Sequence, residues 1–288
     1  MRTGFVGLGN IGAPMAHRLC TPPFDLHVFD VAASATAAFA NRGCGIARSL
    51  GDIARHADVV SICVRDDAQL RDVLAGPDGL IASATQPIVA LVHSTVRPRT
   101  VRDLAAVAAA NQVTLLDAAV TGGAHLAERG ELVAMVGGPV AALDTARPVL
   151  DAFCRTVIHA GELGAGMVLK AANNLVTMLE LVAAHESLRL VASGGVAAEL
   201  LQQVMTQNGN LTDTMRRFIE FRRDGARQLG AAAFDEFQTR MGRLVTKDLE
   251  VALDIAAETG LELPATAAAS QLMMEVFLNR GARGGDVT

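Results

Sequence analysis

Short apolar segments alternate with amphipathic ones through the first half of the chain. Segments rich in β-branched residues occur at Thr3–Val6, Leu26–Asp30, Val59–Val64, Ile88–Val92, Val113–Asp117, Leu132–Val136 and Thr156–His159. Amphipathic, mostly Ala-rich segments lie between most of them, for example Pro14–Cys20, Ala33–Asn41, Asp66–Ala75 and Pro98–Ala110. Because the strand segments are almost continuously apolar, this alternation predicts a Rossmann-type α/β fold, with a doubly wound, mainly parallel sheet covered by helices on both faces.

The pattern changes near residue 160. From Gly164 onward we find no convincing strand, only segments of helical length separated by Gly-rich or Pro-containing positions. The first of them, residues 165 to 192, corresponds to a helix of about 40 Å at the usual rise per residue. We therefore predict two domains, an α/β domain at residues 1–162 and an all-α domain at residues 163–288, joined through this long helix.

Composition narrows the classes of protein that need to be considered. The chain has 288 residues, 51% of them hydrophobic and 19% charged, which is typical of a folded globular protein. The net charge of −5 argues against a nucleic-acid-binding surface. Tyrosine is absent, and this excludes the short-chain dehydrogenases, whose active site depends on a Tyr–Lys pair.

Two further features bear on the expected location. Four widely spaced cysteines (Cys20, Cys44, Cys63 and Cys154) include no Cys-x-x-Cys pair, so we expect neither a disulfide framework nor a structural metal site. The N-terminus resembles no signal peptide, and the long apolar stretch after Gly164 contains several charged and amide side chains, which argue against a membrane span. The expected location is therefore the cytoplasm.

A glycine turn follows the first strand. The residues Gly7, Gly9 and Gly12, with Leu8, Asn10 and Ile11 between them, match Gly-x-Gly-x-x-Gly. In this pattern the glycines permit a tight turn, a close approach of pyrophosphate to the backbone, and close packing of the helix on the strand. Because the turn also lies between a predicted strand and a predicted helix, it indicates a dinucleotide site rather than a purely structural turn.

An acidic residue in the same unit indicates which dinucleotide binds. Asp30 ends the second predicted strand, 23 positions after Gly7. A carboxylate at this position accepts hydrogen bonds from the ribose hydroxyls and repels a 2′-phosphate, and no arginine follows it in Val31–Ala33. NAD is therefore expected in preference to NADP, unless Asp30 is only a solvated residue at the strand end.

A lysine near the start of the long helix is the second candidate for chemistry. Lys170 is the only lysine before Lys247, and the other 23 basic residues are arginines. Lysine can lose its proton in a desolvated site, whereas arginine cannot. Asn174 lies one helical turn further on and shares a face with Lys170. From these residues alone, Lys170 could equally be a lysine that extends its amine to solvent.

Several segments together resemble the β-hydroxyacid dehydrogenase family, which includes 3-hydroxyisobutyrate dehydrogenase and tartronate semialdehyde reductase. The resemblance is carried by Gly7–Gly12, Asp117–Gly123, Gly137-Gly138, Lys170–Asn174, Lys247–Leu249 and the Gly-rich end at Gly281–Asp286. It covers nearly the whole chain. The combination of Lys-x-x-Asn-Asn with Asp-x-x-Val-x-Gly-Gly, in this order, is its most specific part.

The resemblance implies a role for particular residues. Lys170 resembles the catalytic lysine of the family, and Asn174 resembles the amide that helps to hold the substrate. Thr121, Gly122 and Gly123 match the turn that binds the substrate carboxylate. The cofactor contacts implied beyond the glycine turn and Asp30 are Val64, Ser94, Thr95 and Lys247. For Lys247 the alternative is a surface charge near a helix start.

The chain departs from the family pattern at several positions. Thr121 replaces the usual serine, Ala119 replaces a proline, and His93 replaces an acidic residue. His125 follows the carboxylate turn and is either a contact to the far end of the substrate or a surface histidine. Asn173 stands where 6-phosphogluconate dehydrogenase has histidine, so 6-phosphogluconate is not expected as substrate.

The resulting expectation is an NAD(P)-dependent dehydrogenase of a small 3-hydroxy acid or its semialdehyde, with a lysine as general acid and base and no metal. The resemblance further implies a homodimer or homotetramer. Two alternatives remain open. One is an imine reductase on the same scaffold, although such enzymes usually carry Asp or Tyr at the position of Lys170. The other is a non-catalytic dinucleotide-binding module.

Overall fold

A computed structural model of the chain describes residues 1–278 and divides it into two compact units, Met1–Lys170 and Ala171–Thr288. The predicted similarity at Gly281–Asp286 lies outside the described residues. Helix α9 (Ala165–Ser193) begins in the first unit and continues in the second. Since the helix belongs to both units, the boundary predicted after residue 162 stays a prediction.

The first unit contains one eight-stranded sheet. Its strands are β1 (Arg2–Val6), β2 (Asp25–Phe29), β3 (Gly45–Ile46), β4 (Val59–Ile62), β5 (Ile88–Val92), β6 (Val113–Thr121), β7 (Leu132–Gly137) and β8 (Cys154–Gly161). The order across the sheet is β3-β2-β1-β4-β5-β6-β7-β8, and every pair is parallel except β6 with β7. The predicted fold class is confirmed. Strand β3 was not predicted, because two residues carry no periodic signal.

Eight helices connect the strands of this unit. They are α1 (Gly12–His17), α2 (Ala33–Ala40), α3 (Leu50–His56), α4 (Asp67–Ala75), α5 (Leu80–Ser83), α6 (Pro98–Ala108), α7 (Gly123–Arg129) and α8 (Val140–Phe153). Their starts follow ordinary capping chemistry. The Ser49 side chain accepts from the N–H of Asp52 at α3, the Asp66 side chain accepts from the N–H of Gln69 at α4, and Pro98 occupies the first turn of α6.

Successive strand residues point to opposite faces of the sheet and belong to two separate cores. Phe5, Leu91 and Leu116 lie in one core with α1, α7 and α8, whereas their neighbours Val6 and Val92 lie in the other with α3 to α6. Both faces are therefore apolar and covered. This explains why the strand segments are continuously hydrophobic in sequence rather than alternating.

The order of the strands reverses between β1 and β4. The chain leaves β1 toward β2 and β3 on one side and then returns to place β4 on the other side of β1. In open α/β sheets the crevice at the carboxyl ends of two such strands is where ligands bind. The glycine turn that follows β1 and residues Cys63 and Val64 that follow β4 lie at this point.

The second unit is helical throughout its described residues. After α9 come α10 (Ala198–Gln207), α11 (Asp213–Leu229), α12 (Ala231–Thr259) and α13 (Pro264–Leu278). Its core combines Met178 and Leu181 of α9 with Phe218 of α11, Leu249 of α12 and Met273 of α13. The prediction that strands end before residue 164 is confirmed for the described part of the chain.

Helix α9 is the one described helix whose length and hydropathy would allow it to cross a membrane. Helices in the core of a globular protein have the same properties. The side chains of Lys170, Asn174 and His185 on α9 are buried, and polar and ionisable side chains of this kind are rare in lipid. Length and apolar composition alone are therefore weak evidence for a membrane span.

Candidate active site

The glycine turn has the geometry that the motif requires. Gly7 has φ +91°, and a Cβ there would lie 2.2 Å from the carbonyl oxygen of Cys63. A Cβ on Gly12 would lie 2.0 Å from the carbonyl oxygen of Gly7, so both positions require glycine. At Gly9, in contrast, a Cβ would meet nothing within 4 Å. The protein itself has no steric need for Gly9, and this open side of the turn fits the close approach of a pyrophosphate.

Asp30 directly follows β2 and bonds to the glycine turn. Its carboxylate accepts hydrogen bonds from the backbone N–H of Leu8 at 2.7 Å and from that of Ala32 at 2.8 Å. Each carboxylate oxygen keeps a further acceptor site, so the group fits a ribose hydroxyl at the same time. Asp30 is therefore not merely a solvated strand-end residue.

A hydrogen bond connects the segment after β4 with the segment after β5. The Ser94 hydroxyl accepts from the backbone N–H of Val64 at 2.8 Å, and Ser94 is buried, while Thr95 is half-buried. Strand β4 pairs with both β1 and β5, so Val64 and Ser94 lie along the same edge of the sheet as Gly7. Within the first unit, the sequence-predicted cofactor residues are thus brought to one edge.

His93, which replaces the usual acidic residue, is part of the core. Its Nδ1 lies 2.7 Å from the carbonyl oxygen of Ala118, and its Nε2 lies 3.1 Å from the Ser61 hydroxyl. A carbonyl oxygen only accepts, so Nδ1 carries the proton and Nε2 accepts from Ser61. Burial lowers the pKa of His93 to about 4. The ring is therefore a neutral structural bridge between strands.

The carboxylate turn predicted at Thr121–Gly123 lies at the end of β6. Gly122 has φ +130° and Gly123 has φ +76°, and both conformations favour glycine. Thr121 is half-buried, whereas His125, two residues into α7, is exposed. Gly122 is the N-cap residue of α7 and Gly123 is its first residue, so their backbone N–H groups have no acceptor within the helix and can donate to an anion.

Asp117, in the middle of β6, fixes the beginning of α9. One of its carboxylate oxygens accepts from the N–H of Gly164 at 2.7 Å, and the other accepts from the N–H of Met167 at 2.7 Å. Asp117 is fully buried, and desolvation raises the pKa of its carboxyl group, while these backbone hydrogen bonds act in the opposite direction. Lys170 lies about one helical turn after Met167, whose N–H is bonded to Asp117.

Close packing around Asp117 explains two glycines. A Cβ on Gly137 would lie 2.4 Å from an Asp117 carboxylate oxygen, and a Cβ on Gly166 would lie 2.4 Å from the carbonyl oxygen of Met135. Helix α9 therefore begins in direct contact with strand backbone. The position of Lys170 relative to the sheet follows from this contact.

Lys170 and Asn174 are both buried, with exposed fractions of 8% and 5%. In the second unit, the amide Nδ2 of Asn174 donates to a carboxylate oxygen of Asp248 at 2.8 Å. A carboxylate only accepts, so the Asn174 amide nitrogen points to Asp248. The Asn174 oxygen accepts a long hydrogen bond of 3.5 Å from the Asn173 amide and keeps a second acceptor site. The ammonium of Lys247 lies 3.1 Å from the other Asp248 oxygen.

Sequence reasoning gave no role to Asp117, Asp248 or Ser61. The sequence did contain a sign that Asp117 has a structural role. An aspartate inside the apolar run Leu115–Ala119 is expected to be buried, and a buried carboxylate needs hydrogen-bond donors. Asp248 lies in a charged, amphipathic helix and gave no comparable signal. Its partner Asn174 is 74 residues away in sequence.

One group of described residues has side chains that could hold a metal ion. The potential ligand atoms of Asp25, His27 and His56 lie within 4.8 Å of one another. The two imidazole rings, however, are stacked with centroids 3.6 Å apart at an angle of 10°. Ring nitrogens donate in the ring plane, so this arrangement does not point two lone pairs at one ion. The expectation of no metal stays a prediction.

Comparison with known families agrees with this geometry. Residues 2–161 match the NAD-binding domain of 6-phosphogluconate dehydrogenase, and residues 164–288 match the domain described as "NAD-binding of NADP-dependent 3-hydroxyisobutyrate dehydrogenase". The chain belongs to the β-hydroxyacid dehydrogenase family. The family resemblance expected from Gly7–Gly12 and Lys170–Asn174 is thereby confirmed.

Individual relatives within the β-hydroxyacid dehydrogenase family cover most of the chain. An NAD-dependent L-serine dehydrogenase of Pseudomonas aeruginosa is 32% identical over 90% of this chain and 87% of its own length. A 3-hydroxyisobutyrate dehydrogenase of the same organism is 36% identical over 71% of this chain and 68% of its own length. The chain is thus an oxidoreductase that acts on CH–OH groups of small hydroxyacids with a nicotinamide dinucleotide.

Solved structures show the same fold. Mycobacterium tuberculosis 3-hydroxyisobutyrate dehydrogenase, solved with L-serine, has a TM-score of 0.82 and 29% identity, covering 96% of this chain and 93% of its own. An imine reductase of Streptomyces aurantiacus has a TM-score of 0.66 at 19% identity, a likeness that concerns the fold alone. Dehydrogenases of this family are therefore nearer to the chain than imine reductases.

Proposed function

We propose that the protein is an NAD-dependent dehydrogenase of a small 3-hydroxy carboxylic acid or its semialdehyde, with Lys170 as general acid and base. The observation that carries this proposal is the placement of Lys170 and Asn174. Both are buried, they lie one turn apart on α9, and the buried Asp117 carboxylate fixes the start of this helix. A lysine that only extended to solvent would need neither its own burial nor a fixed helix start.

The chain's own residues have distinct tasks in the proposed reaction. A nicotinamide dinucleotide, when bound, accepts the hydride in oxidation and supplies it in reduction. The amine of Lys170 takes the proton of the substrate hydroxyl in oxidation and returns it to the carbonyl oxygen in reduction. Because Asp248 holds the amide group of Asn174, the Asn174 oxygen is the atom left to accept from the substrate hydroxyl or from Lys170.

The substrate carboxylate is proposed to bind at Thr121–Gly123. The Thr121 hydroxyl and the N–H groups of the two left-handed glycines are the donors. The methyl group that distinguishes Thr121 from the family's serine would lie beside the substrate, so a smaller or differently shaped acid than 3-hydroxyisobutyrate is consistent with the site. The L-serine dehydrogenase among the relatives acts on a small 3-hydroxy acid of this kind.

NAD is proposed in preference to NADP. The Asp30 carboxylate would repel a 2′-phosphate, and no arginine follows it directly. The side chain of Val31 is 93% exposed, so an arginine at this position would meet no steric obstacle. The oligomeric state proposed from the family is a homodimer or homotetramer, which light scattering of the purified protein tests.

Steady-state assays test the substrate class and the cofactor together. A panel of 3-hydroxy acids and semialdehydes, including L-serine and 3-hydroxyisobutyrate, is assayed with NAD and with NADP separately, and a cyclic imine is included. We expect turnover of a 3-hydroxy acid with NAD. Turnover of the imine alone, or cofactor binding with no turnover of any compound, would contradict the proposal.

The role of Lys170 has its own test. Replacing a positioned acid–base group typically lowers the rate by about 10²- to 10⁴-fold, and we expect this loss in kcat for Lys170→Met. Since Lys170 is not part of the glycine turn, the affinity for NAD measured by calorimetry should change little. Wild-type turnover in Lys170→Met would refute the assignment.

The cofactor preference is tested by a double variant. Asp30→Ser combined with Val31→Arg removes the carboxylate and supplies a cation for a 2′-phosphate. We expect the ratio of kcat/KM for NAD to that for NADP to fall by at least about tenfold, which is 1.4 kcal/mol of discrimination. Val31→Arg alone is the matched control. A wild-type enzyme that already prefers NADP would contradict the argument.

A further inference from the structure

Two cysteines that are far apart in sequence are neighbours in the first unit. The Sγ atoms of Cys20 and Cys44 lie 2.8 Å apart, although 24 positions separate them in the chain. Cys20 follows α1, and Cys44 directly precedes β3. All four cysteines are free thiols, so the pair is present in its reduced form.

The fold itself holds the two thiols together. Strand β3 pairs with β2 in parallel, with Gly45 opposite His27, and this fixes Cys44 at the edge of the sheet. Cys20 is fixed from the other side, because the N–H of Cys20 bonds to the carbonyl oxygen of His17 at the end of α1. Both side chains pack against the core that α1 and β2 share.

From this geometry we propose that Cys20 and Cys44 form an oxidation site, which closes to an intramolecular disulfide by exchange with a low-molecular-weight disulfide. A covalent S–S bond is about 2.05 Å long, so closure needs a small approach of the two sulfur atoms. Cys20, Cys44 and Cys63 are half-buried and Cys154 is buried, but only Cys20 and Cys44 are described with their sulfur atoms in contact.

The first exchange forms a mixed disulfide. One of the two cysteine thiolates attacks one sulfur of the small disulfide, which forms a mixed disulfide at that cysteine and releases one thiolate. Burial raises the pKa of the Cys20 thiol to about 12, the adjacent Cys44 adds to this, and the nearby Arg42 acts in the opposite direction.

The second exchange completes the reaction. The thiolate of the other cysteine attacks the sulfur of the modified cysteine, the bond between that sulfur and the small thiol breaks, and a second thiolate leaves. The two cysteines lose two electrons and two protons in total, and the small disulfide becomes two thiols. The closed loop contains β2, α2 and Asp30, so oxidation joins the two ends of the segment that holds the glycine turn.

Peptide mapping of the wild-type protein tests the proposal directly. The full chain is reduced, freed of reductant, treated with oxidised glutathione, alkylated and digested. We expect a peptide pair linked through Cys20 and Cys44, with a mass about 2 Da below that of the two reduced peptides, which dithiothreitol separates again. Cys63 and Cys154 serve as internal controls and should be alkylated after denaturation.

Three results would overturn the proposal. Both Cys20 and Cys44 could remain alkylatable, glutathione could remain on Cys44 beside a free Cys20, or a link could instead include Cys63 or Cys154. Each would mean that the two neighbouring thiols do not close on one another. None of these results depends on which substrate the enzyme uses.

Two serine variants separate the steps. In each of Cys20→Ser and Cys44→Ser we expect the mixed disulfide to accumulate on the remaining cysteine, because no second thiol is present to displace the small thiol. Closing a loop of this length should raise Tm of the oxidised wild-type protein by roughly 5–10 °C over the reduced protein. The same treatment should leave Tm of Cys44→Ser unchanged. An equal rise in this variant would contradict the assignment to this pair.

Discussion

Several polar side chains of the two units have different kinds of hydrogen-bond partner. In the α/β unit, Asp30, Ser94 and Asp117 accept from backbone N–H groups. In the helical unit, Asn174 donates to the side chain of Asp248, and Arg222 donates to the ring of His185. These residues fix the backbone in the first unit and the orientation of other side chains in the second. Each unit also contains the other kind of pair, His93 with Ser61 in the first and Gln238 with the carbonyl oxygen of Phe277 in the second.

This difference has an energetic consequence. A backbone N–H that loses its acceptor in a buried region stays unsatisfied, because the surrounding chain cannot turn it elsewhere. A side chain that loses its partner can rotate toward another partner or toward water. Removing the acceptor of a buried backbone N–H, such as Asp117, should therefore lower the free energy of unfolding. Removing the partner of a side chain, such as Asp248, should lower it less and should mainly disturb the orientation of that side chain.

The largest effect is expected for Asp117→Ala. The change leaves the N–H groups of Gly164 and Met167 without their acceptors, and we expect the free energy of unfolding to fall by roughly 2–4 kcal/mol. Asp248→Ala should cost less stability but should lower kcat, because it releases Asn174 and Lys247. Urea unfolding of both variants measures the free energy of unfolding, and steady-state kinetics measures kcat. A larger stability loss in Asp248→Ala would reverse the comparison.

Two buried histidines, one in each unit, are expected to make the stability of the protein depend on pH. Burial lowers the pKa of both His93 and His185 to about 4, and for His185 the neighbouring Arg222 and Arg189 add to the shift. An unfolded histidine, with a pKa of about 6.5, binds a proton more readily than either folded one. Stability is thus complete above about pH 6.5 and falls as the pH decreases toward 4.

For His93 this fall should be about 2 kcal/mol between pH 7.5 and 5. Both of its ring nitrogens are hydrogen-bonded, whereas the His185 Nε2 has no partner among the described residues. His93→Gln should therefore flatten the pH dependence of urea unfolding and lower stability at pH 7.5, while His185→Gln should flatten it at little cost. Identical pH slopes in the wild type and in His93→Gln would contradict the assignment.

The smallest effect is expected for Gly242→Ala in α12. A Cβ at Gly242 would lie 2.8 Å from the Met274 sulfur, which is part of a flexible side chain and can move. Alanine favours the helix by about 1 kcal/mol, so the net change in unfolding free energy should lie within about 1 kcal/mol of zero. At Gly166 in α9, by contrast, the Cβ would meet a backbone carbonyl, and Gly166→Ala should be clearly more destabilising. Equal Tm values for the two variants would refute this contrast.

How much of the protein was predictable also differs between the units. The sheet, its neighbouring helices and the glycine turn were predicted, because strand burial on both faces and positive-φ glycines leave direct marks in the sequence. The two-residue β3 was missed, since it is formed by pairing with β2 rather than by any pattern of its own. In the helical unit only the presence of helices and the candidate residues Asn174 and Lys247 could be predicted.

The sequence by itself determined the class of fold, the family, and the residue types able to bind a dinucleotide and move a proton. The tertiary structure decided which groups are partners: Asp117 with the start of α9, Asp248 with Asn174, and Cys20 with Cys44. The physical reason is that local patterns record what a segment must bury or how its backbone must turn. Contacts between residues 24 to 74 positions apart arise only when the segments pack.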